Sequence, residues 1–173
     1  MLLAFGGSQG ARPLNDAIAS MLDAGLPPGL LLIWATGQGW FDRYAKYESP
    51  SVRVRPYLAP IQEAYAAADL ALTRAGALTV AELCAWGIPS LLVPLPTAAA
   101  DHQHANAVAL RDAGAAELLE QNSLSGGRLG AALERLLDEP ETLARMAESA
   151  ASRGRPDAAE RIANWVLTIA QLK

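Results

Sequence analysis

The amino-acid sequence predicts an α/β protein, with a Rossmann-like parallel sheet and helices on both faces. Three observations lead to this fold class. Short apolar runs alternate with helical patterns of about ten residues or more. The runs are apolar throughout, as in strands that helices bury on both sides, and do not alternate with polar residues. Loops of small residues that include glycine follow two of the runs and open the next helical pattern, as in βα units.

The strands are expected where leucine, valine, isoleucine and aromatic residues cluster between turn residues. They are Leu2–Phe5, Leu30–Ala35, Val52–Pro56, Leu70–Thr73, Ser90–Val93 and Ala116–Leu119. The intervening patterns predict helices over Ala11–Asp23, Gly39–Tyr47, Pro60–Ala67, Leu78–Trp86, His102–Asp112, Ser125–Asp138, Glu141–Ser152 and Pro156–Gln171. Pro60 suits a first helical turn, Gly87 a helix C-terminus and Asp101 an N-cap.

Length and composition predict one domain, because a chain of 173 residues, 51% of them hydrophobic, can bury one substantial core. We expect the α/β core over residues 1–124 and three helices over 125–173, the last of which docks outside this core. The net charge of −4 without a basic stripe argues against a nucleic-acid partner. No apolar run approaches the ~20 residues that cross a bilayer. The single cysteine, Cys84, lies among apolar residues and is expected to be a buried, inert thiol in a reducing cytosol.

The segment Gly6–Gly10, with the sequence GGSQG, allows two functional interpretations and a purely structural one. It matches G-x-S-x-G, the nucleophile elbow of serine hydrolases, with Ser8 as the nucleophile. It also suits a strand-to-helix turn whose backbone N–H groups and Ser8 hydroxyl bind a phosphate. A hydrolase would need a histidine after a late strand, whereas His102 and His104 lie at a predicted helix start, and a suitable acid is not evident. Phosphate binding is therefore favoured. The alternatives are a plain tight turn that needs glycine only for its positive φ, and the hydrolase.

Two further loops follow predicted strands at the same edge of the sheet. In RAGALTVAE, Thr79 and Glu82 match the capping box S/T-x-x-E, although Glu82 could instead accept both hydroxyls of a ribose. In the loop ending in DHQHANA, Gln103 and Asn106 lie on one helix face, where amides suit sugar hydroxyls or merely a solvated first turn. His102 and His104 stand two residues apart on different faces, so no metal site is expected there.

Four segments together carry a family resemblance: GGSQGARPLN, RAGALTVAEL, GIPSLLVPLP and DHQHANA. In this order they resemble the C-terminal half of the MurG family of peptidoglycan N-acetylglucosaminyltransferases. The resemblance implies one half of a GT-B fold, with a donor-binding domain here, an N-terminal acceptor domain outside this sequence and a last helix that crosses back to it.

The implied reaction is an inverting, metal-independent transfer of GlcNAc from UDP-N-acetylglucosamine to the C4 hydroxyl of undecaprenyl-pyrophosphoryl-MurNAc-pentapeptide, which converts lipid I to lipid II. The lipid I acceptor and the membrane would be contacted through the other half, at the inner, cytoplasmic face of the plasma membrane. No cofactor is implied. Another GT-B enzyme that acts on UDP-sugars, such as a UDP-N-acetylglucosamine 2-epimerase, remains the alternative within this fold.

The resemblance also implies roles for individual residues, all of them in binding the donor and none in catalysis. Ser8 and the amides of the glycine loop would contact the diphosphate, the backbone of Leu58 the uracil, and Glu82 the ribose. Gln103 and His102 would contact N-acetylglucosamine, and Asn106 would support their loop. The full implied set is Gly7, Ser8, Gln9, Gly10, Leu58, Ala77, Leu78, Thr79, Val80, Glu82, His102, Gln103 and Asn106.

Overall fold

A single parallel sheet of six strands organises the protein, of which a computed structural model describes residues 1–171. The strands are β1 (Leu2–Phe5), β2 (Leu32–Ala35), β3 (Val52–Arg55), β4 (Leu70–Thr73), β5 (Ser90–Leu92) and β6 (Ala116–Leu118). The helices are α1 (Arg12–Ala24), α2 (Phe41–Tyr44), α3 (Ile61–Ala67), α4 (Ala77–Trp86), α5 (His102–Asp112), α6 (Gly126–Asp138), α7 (Pro140–Arg153) and α8 (Ala158–Gln171).

The strand order is β3-β2-β1-β4-β5-β6, so the chain builds outward from β1 in one direction and then in the other. Leu2 pairs with Leu32 of β2 and with Leu70 of β4, which puts the carboxyl ends of these three strands level. The order reverses between β1 and β4. A reversal of this kind opens a crevice at the carboxyl ends, where ligands bind in open α/β sheets.

Helices cover both faces of the sheet, as the sequence predicts. One core layer lies under α1 and α6, with fully buried Leu14, Ile18, Leu129 and Leu133 against the strands. The other lies under α3, α4 and α5, with Leu3, Leu83 and Ala107 at its centre. Each of the larger aliphatic side chains contributes about 1.5–3 kcal/mol by burial.

The helix predicted over Gly39–Tyr47 is wrong as a single element. The structure has a 3-10 turn at Gln38–Trp40, the single α-turn α2 and a second 3-10 turn at Ala45–Tyr47. Two tyrosine rings of this segment pack on the buried indole of Trp34, with centroids 5.1 Å (Tyr44) and 6.0 Å (Tyr47) away. Packing around this indole, rather than helical periodicity, shapes the segment.

Of the three residues expected at helix ends, Gly87 is confirmed, Pro60 is the N-cap of α3 and so lies one residue before its first turn, and Asp101 does not cap α5. Gly87 adopts the left-handed conformation after α4, and its N–H donates to the carbonyl groups of Leu83 and Cys84. Asp101 occupies the position before α5, but its side chain makes no capping hydrogen bond and its φ is +52°. The prediction that Asp101 caps α5 is therefore wrong, because its backbone is left-handed, whereas a capping residue is typically extended.

The last helix, α8, leaves the core. Its large hydrophobic side chains are all at least 44% exposed, namely Ile162, Trp165, Val166, Leu167 and Ile169. Among the residues described, none of the helices is both long and apolar enough to cross a membrane.

Candidate functional site

The glycine loop after β1 is pressed against the segment that follows β2. Gly10 has a φ of +72°, and a Cβ there would lie 1.9 Å from the carbonyl oxygen of Thr36. Gly7 has a φ of +88° but opens onto free space. A hydrogen bond of 3.0 Å from the Gly10 N–H to the Gly7 carbonyl closes the turn. The loop therefore needs glycine at residue 10 for backbone contact and at residue 7 for backbone conformation.

A buried asparagine fixes the segment on which this loop rests. Asn15 of α1 donates from Nδ2 to the Thr36 carbonyl at 2.8 Å, and its Oδ1 accepts from Trp34 Nε1 at 2.9 Å. Asn15 is 1% exposed. Asn15 could be noticed in the sequence, because it is a lone polar residue on the apolar helix face that Leu14 and Ile18 define. The sequence did not indicate what Asn15 does there.

The second loop starts α4 earlier than the sequence predicts. Gly76, with an extended backbone, is the N-cap, so Thr79 is already the third helical residue. The predicted capping box of Thr79 and Glu82 is wrong, because the helix begins before the threonine. Helical bonding starts with the Val80 N–H, which donates to the Gly76 carbonyl at 2.9 Å. The N–H groups of Ala77, Leu78 and Thr79 therefore precede the helical ladder and point out of the helix start.

Two cavities lie at the carboxyl edge of the sheet and share Gly7 in their walls. The smaller has a volume of about 220 Å³ and extends from the glycine loop towards α3. Of the predicted site residues it is lined by Gly7, Ser8, Leu58, Leu78 and Glu82, and it adds Tyr57 and Ile61. One ligand that spans the Gly7 wall could occupy both cavities.

The larger cavity has a volume of about 530 Å³ and lies over β4, β5 and β6. Of the predicted site residues it is lined by Gly7, Gly10, Thr79 and Gln103. Arg12 and Arg74 line it too, and of the described residues in its wall none is acidic. A cavity with two arginines in its wall, in a chain of net charge −4, is suited to an anion.

Arg74 is a site residue that the sequence analysis missed. It is 8% exposed, and its Nη1 donates to the carbonyl groups of Val93 (3.0 Å) and Pro94 (3.1 Å). Its Nη2 donates to Gln121 Oε1, on the loop after β6. Burial lowers the pKa of the guanidinium, which nevertheless stays charged at neutral pH. The sequence feature that could have identified Arg74 is its position, since it is a charged residue immediately after a fully buried strand.

The third loop brings one of the two predicted amides, that of Gln103, to the larger cavity. Gln103 lines it, and its Oε1 accepts from the Leu95 N–H at 3.0 Å, which leaves its amide nitrogen for a ligand. Asn106 donates to the Ala75 carbonyl at 3.0 Å and so ties α5 to the second loop.

Five of the predicted residues line neither cavity, namely Asn106, whose contact is given above, and four others. Val80 is buried and its N–H belongs to the helix. Ala77 and Gln9 are exposed beside the cavities. His102 is exposed as well, with Nδ1 2.7 Å from the Ala99 carbonyl oxygen.

The hydroxyl of Ser8 lacks the partner that a nucleophile needs. The Nδ1 of His104 lies 3.5 Å from Glu120 Oε1, and His102 faces its own turn. Within residues 1–171 neither histidine is hydrogen-bonded to Ser8, and no group of three or more His, Cys, Asp or Glu side chains could hold a metal ion. The geometry therefore favours anion binding over nucleophilic catalysis at this loop.

Comparison with known proteins agrees with the fold. Residues 1–162 match the family model "Glycosyltransferase family 28 C-terminal domain". The chain is 46% identical to a transferase of Salinibacter ruber over 98% of its length and 43% identical to one of Gloeobacter violaceus over 96%. Both relatives are named UDP-N-acetylglucosamine–N-acetylmuramyl-(pentapeptide) pyrophosphoryl-undecaprenol N-acetylglucosamine transferase.

The chain spans about half the length of these relatives, 46% and 47% respectively. Its structure resembles a crystal structure of Acinetobacter baumannii MurG with a TM-score of 0.85 and 32% sequence identity, over 96% of this chain and 49% of that one. The predicted Rossmann-like half of a GT-B fold is confirmed, and the chain belongs to glycosyltransferase family 28 as its C-terminal domain.

Proposed function

We propose that this chain is the donor-binding half of an inverting N-acetylglucosaminyltransferase and that it binds UDP-N-acetylglucosamine. The observation that carries the proposal is the shared wall at Gly7, between a cavity with a carboxylate and a cavity with two arginines. A nucleoside diphosphate sugar has a matching order of groups: base and ribose, then two phosphates, then a sugar. The names of the two relatives support the same donor.

In the proposed complex the nucleoside occupies the smaller cavity. The backbone of Leu58 pairs with the edge of the uracil, beside the exposed ring of Tyr57. Glu82 accepts hydrogen bonds from the ribose hydroxyls, since a carboxylate offers two acceptor oxygens.

The diphosphate lies at the Gly7 wall, between the glycine loop and the start of α4. The Ser8 hydroxyl, the amides from Gly7 to Gly10 and the N–H groups of Ala77–Thr79 are the proposed donors. The positive end of the α4 dipole favours negative charge at the same point. The sugar then extends into the larger cavity towards Gln103, with Asn106 holding the loops together.

The proposed reaction is attack by the C4 hydroxyl of the acceptor on the anomeric carbon of GlcNAc, with inversion and departure of UDP. Negative charge grows on the diphosphate as the glycosidic bond breaks. Oriented N–H groups and the Arg74 guanidinium stabilise that charge without reorganising, so no metal ion is required for this step. The base that accepts the hydroxyl proton belongs, in this proposal, to the other half of the enzyme.

The acceptor and the site of action are part of the same proposal. We expect the acceptor to be undecaprenyl-pyrophosphoryl-MurNAc-pentapeptide, bound by an N-terminal half that also contacts the inner face of the plasma membrane. The α/β core over residues 1–124 would bind the donor. The exposed apolar side chains of α8, including Trp165, would pack against the N-terminal half.

Titration calorimetry of this chain with UDP, UDP-N-acetylglucosamine and NAD tests the proposal. UDP and the UDP-sugar should bind, and NAD should not. Glu82→Gln should weaken UDP binding by about 1–3 kcal/mol, because a charged acceptor of two hydroxyls is lost. Glu134→Gln is the matched control, since Glu134 is exposed on α6 and lines neither cavity.

Two results would count against the proposal. One is a folded chain that binds no UDP. The other is labelling of wild-type protein by a fluorophosphonate that disappears in Ser8→Ala, because Ser8 would then be a nucleophile.

A further inference from the structure

A buried tyrosine lies directly behind Glu82. Tyr65, on α3, is 3% exposed, and its ring packs against Phe5 (centroids 6.2 Å apart) and Trp86 (6.0 Å). Its hydroxyl donates to Glu82 Oε2 at 2.8 Å. The two flanking rings leave the phenol little freedom to rotate, so the position of its hydroxyl is fixed by the core.

Tyr65 does not belong to the wall of the smaller cavity, whereas Glu82 does. The tyrosine can therefore act on a ligand there only through the carboxylate. Glu82 lies in the second turn of α4 and has no capping role. In the described part of the chain its carboxylate hydrogen-bonds to the hydroxyl of Tyr65 and to no other side chain.

The chemistry of this pair fixes the direction of the hydrogen bond. Burial, and then the hydrogen bond with Glu82, raises the pKa of the Tyr65 phenol, so the phenol keeps its proton and donates it. An ionised carboxylate has about four acceptor positions on its two oxygens. Tyr65 fills one of them on Oε2, which leaves Oε1 and the remaining lone pair of Oε2 for a ligand.

We propose that Tyr65 is a positioning residue that holds the Glu82 carboxylate towards the ribose, and that it thereby gives the site its preference for a ribonucleotide over a 2′-deoxyribonucleotide. This inference rests on the proposed function. A carboxylate anchored at one oxygen presents a fixed pair of acceptor positions, which two adjacent hydroxyls fit better than one. A carboxylate without the anchor rotates and distinguishes the two sugars less.

Tyr65→Phe tests the inference, because it removes only the hydroxyl and keeps the ring between Phe5 and Trp86. Dissociation constants for UDP and 2′-deoxy-UDP are measured by calorimetry. UDP affinity should fall about tenfold, equivalent to the loss of one hydrogen bond to a charged group. Affinity for 2′-deoxy-UDP should fall less, so the ratio between the two ligands narrows.

Tyr44→Phe is the matched control. Tyr44 is 2% exposed and donates to the Asp16 carboxylate at 2.7 Å, but it lines neither cavity. The control should leave both affinities unchanged. Melting temperatures of both variants report any general loss of stability.

A double-mutant cycle gives the second measurement. In a Glu82→Gln background, Tyr65→Phe should change UDP affinity far less than it does in wild type, because the tyrosine acts through the carboxylate. An equal loss in both backgrounds overturns the inference, as does an unchanged ratio of UDP to 2′-deoxy-UDP affinity.

The two proposals fail in different ways. If wild type binds UDP and Glu82→Gln weakens it while Tyr65→Phe does nothing, only the role of Tyr65 is refuted. If wild type binds no UDP, the proposed function fails and the inference fails with it. If wild type binds UDP but Glu82→Gln has no effect, the proposed contact of Glu82 with the ribose fails, and the inference fails with that contact.

Discussion

The glycine loop offers a pair of substitutions that separates backbone conformation from steric contact. Gly7→Ala and Gly10→Ala each put a methyl group on a residue of positive φ, +88° and +72° respectively. The Cβ at residue 7 would meet nothing within 4 Å. The Cβ at residue 10 would lie 1.9 Å from the Thr36 carbonyl oxygen, which Asn15 and the β2 segment hold in place.

The expected losses of stability follow from these distances. A left-handed backbone costs a non-glycine residue about 1–2 kcal/mol, so Gly7→Ala should lower the free energy of unfolding by about that amount. A carbon and a carbonyl oxygen approach to about 3.3 Å. Gly10→Ala must therefore move backbone by more than an ångström, at a further cost of about 1–3 kcal/mol.

Urea denaturation followed by tryptophan fluorescence measures both variants, since Trp34 is fully buried. Gly10→Ala should be the less stable of the two by at least about 1 kcal/mol. UDP titration gives a second measurement. Gly7 lines both cavities, so Gly7→Ala should weaken UDP binding even though it destabilises the protein less than Gly10→Ala. Equal stability losses in the two variants would refute the close approach between Gly10 and Thr36.

Three further outcomes are expected. The N–H of Val54 donates to Glu48 at 2.6 Å, and this hydrogen bond lowers the pKa of the Glu48 carboxyl. The ionised carboxylate therefore stabilises the fold above the unfolded-state pKa of about 4.3, and this stabilisation is lost as the pH falls through the folded-state pKa. Glu48→Gln should thus lower the free energy of unfolding at pH 7, and urea titrations from about pH 5 to about pH 3 should find the difference from wild type shrinking. Cys84 is buried and its pKa is raised by burial, so iodoacetamide should alkylate it in urea but not in the native protein, as mass spectrometry would detect. Ser125 accepts from the Arg128 N–H at the start of α6, and Ser125→Ala should lower the free energy of unfolding by about 1 kcal/mol whereas Ser125→Asp should not.

The order of strands and helices could be predicted from the sequence because buried strands and their turns leave strong local patterns. Leu31 shows that an apolar run does not locate the first residue of a strand. It continues an apolar run with Leu30 and Leu32, yet it is 44% exposed and β2 begins one residue later. A run of leucines indicates that a strand is near, but the turn before it decides where pairing begins.

Local patterns could not decide the start of α4. The sequence pattern indicates Thr79 as the cap, whereas the structure uses Gly76, and this choice depends on how the second loop is held. Asn106 binds the Ala75 carbonyl from a helix about thirty residues further along the chain, a contact that no local pattern indicates. The role of Arg74 was hidden for the same reason, since its partners come from the loops after β5 and β6.

In the proposed complex, the Gly7 wall between the two cavities affects how the specificity for the sugar donor can evolve. The groups that would hold the diphosphate are mostly peptide N–H groups, which amino-acid replacement does not remove. Substitutions at Tyr57 and Leu58 in the smaller cavity can then change the preference for the base. Substitutions at Gln103 in the larger cavity can change the preference for the sugar, independently of the base. The fold would keep one diphosphate-binding site for all nucleotide-sugars, while the base-binding and sugar-binding cavities on either side of it evolve independently.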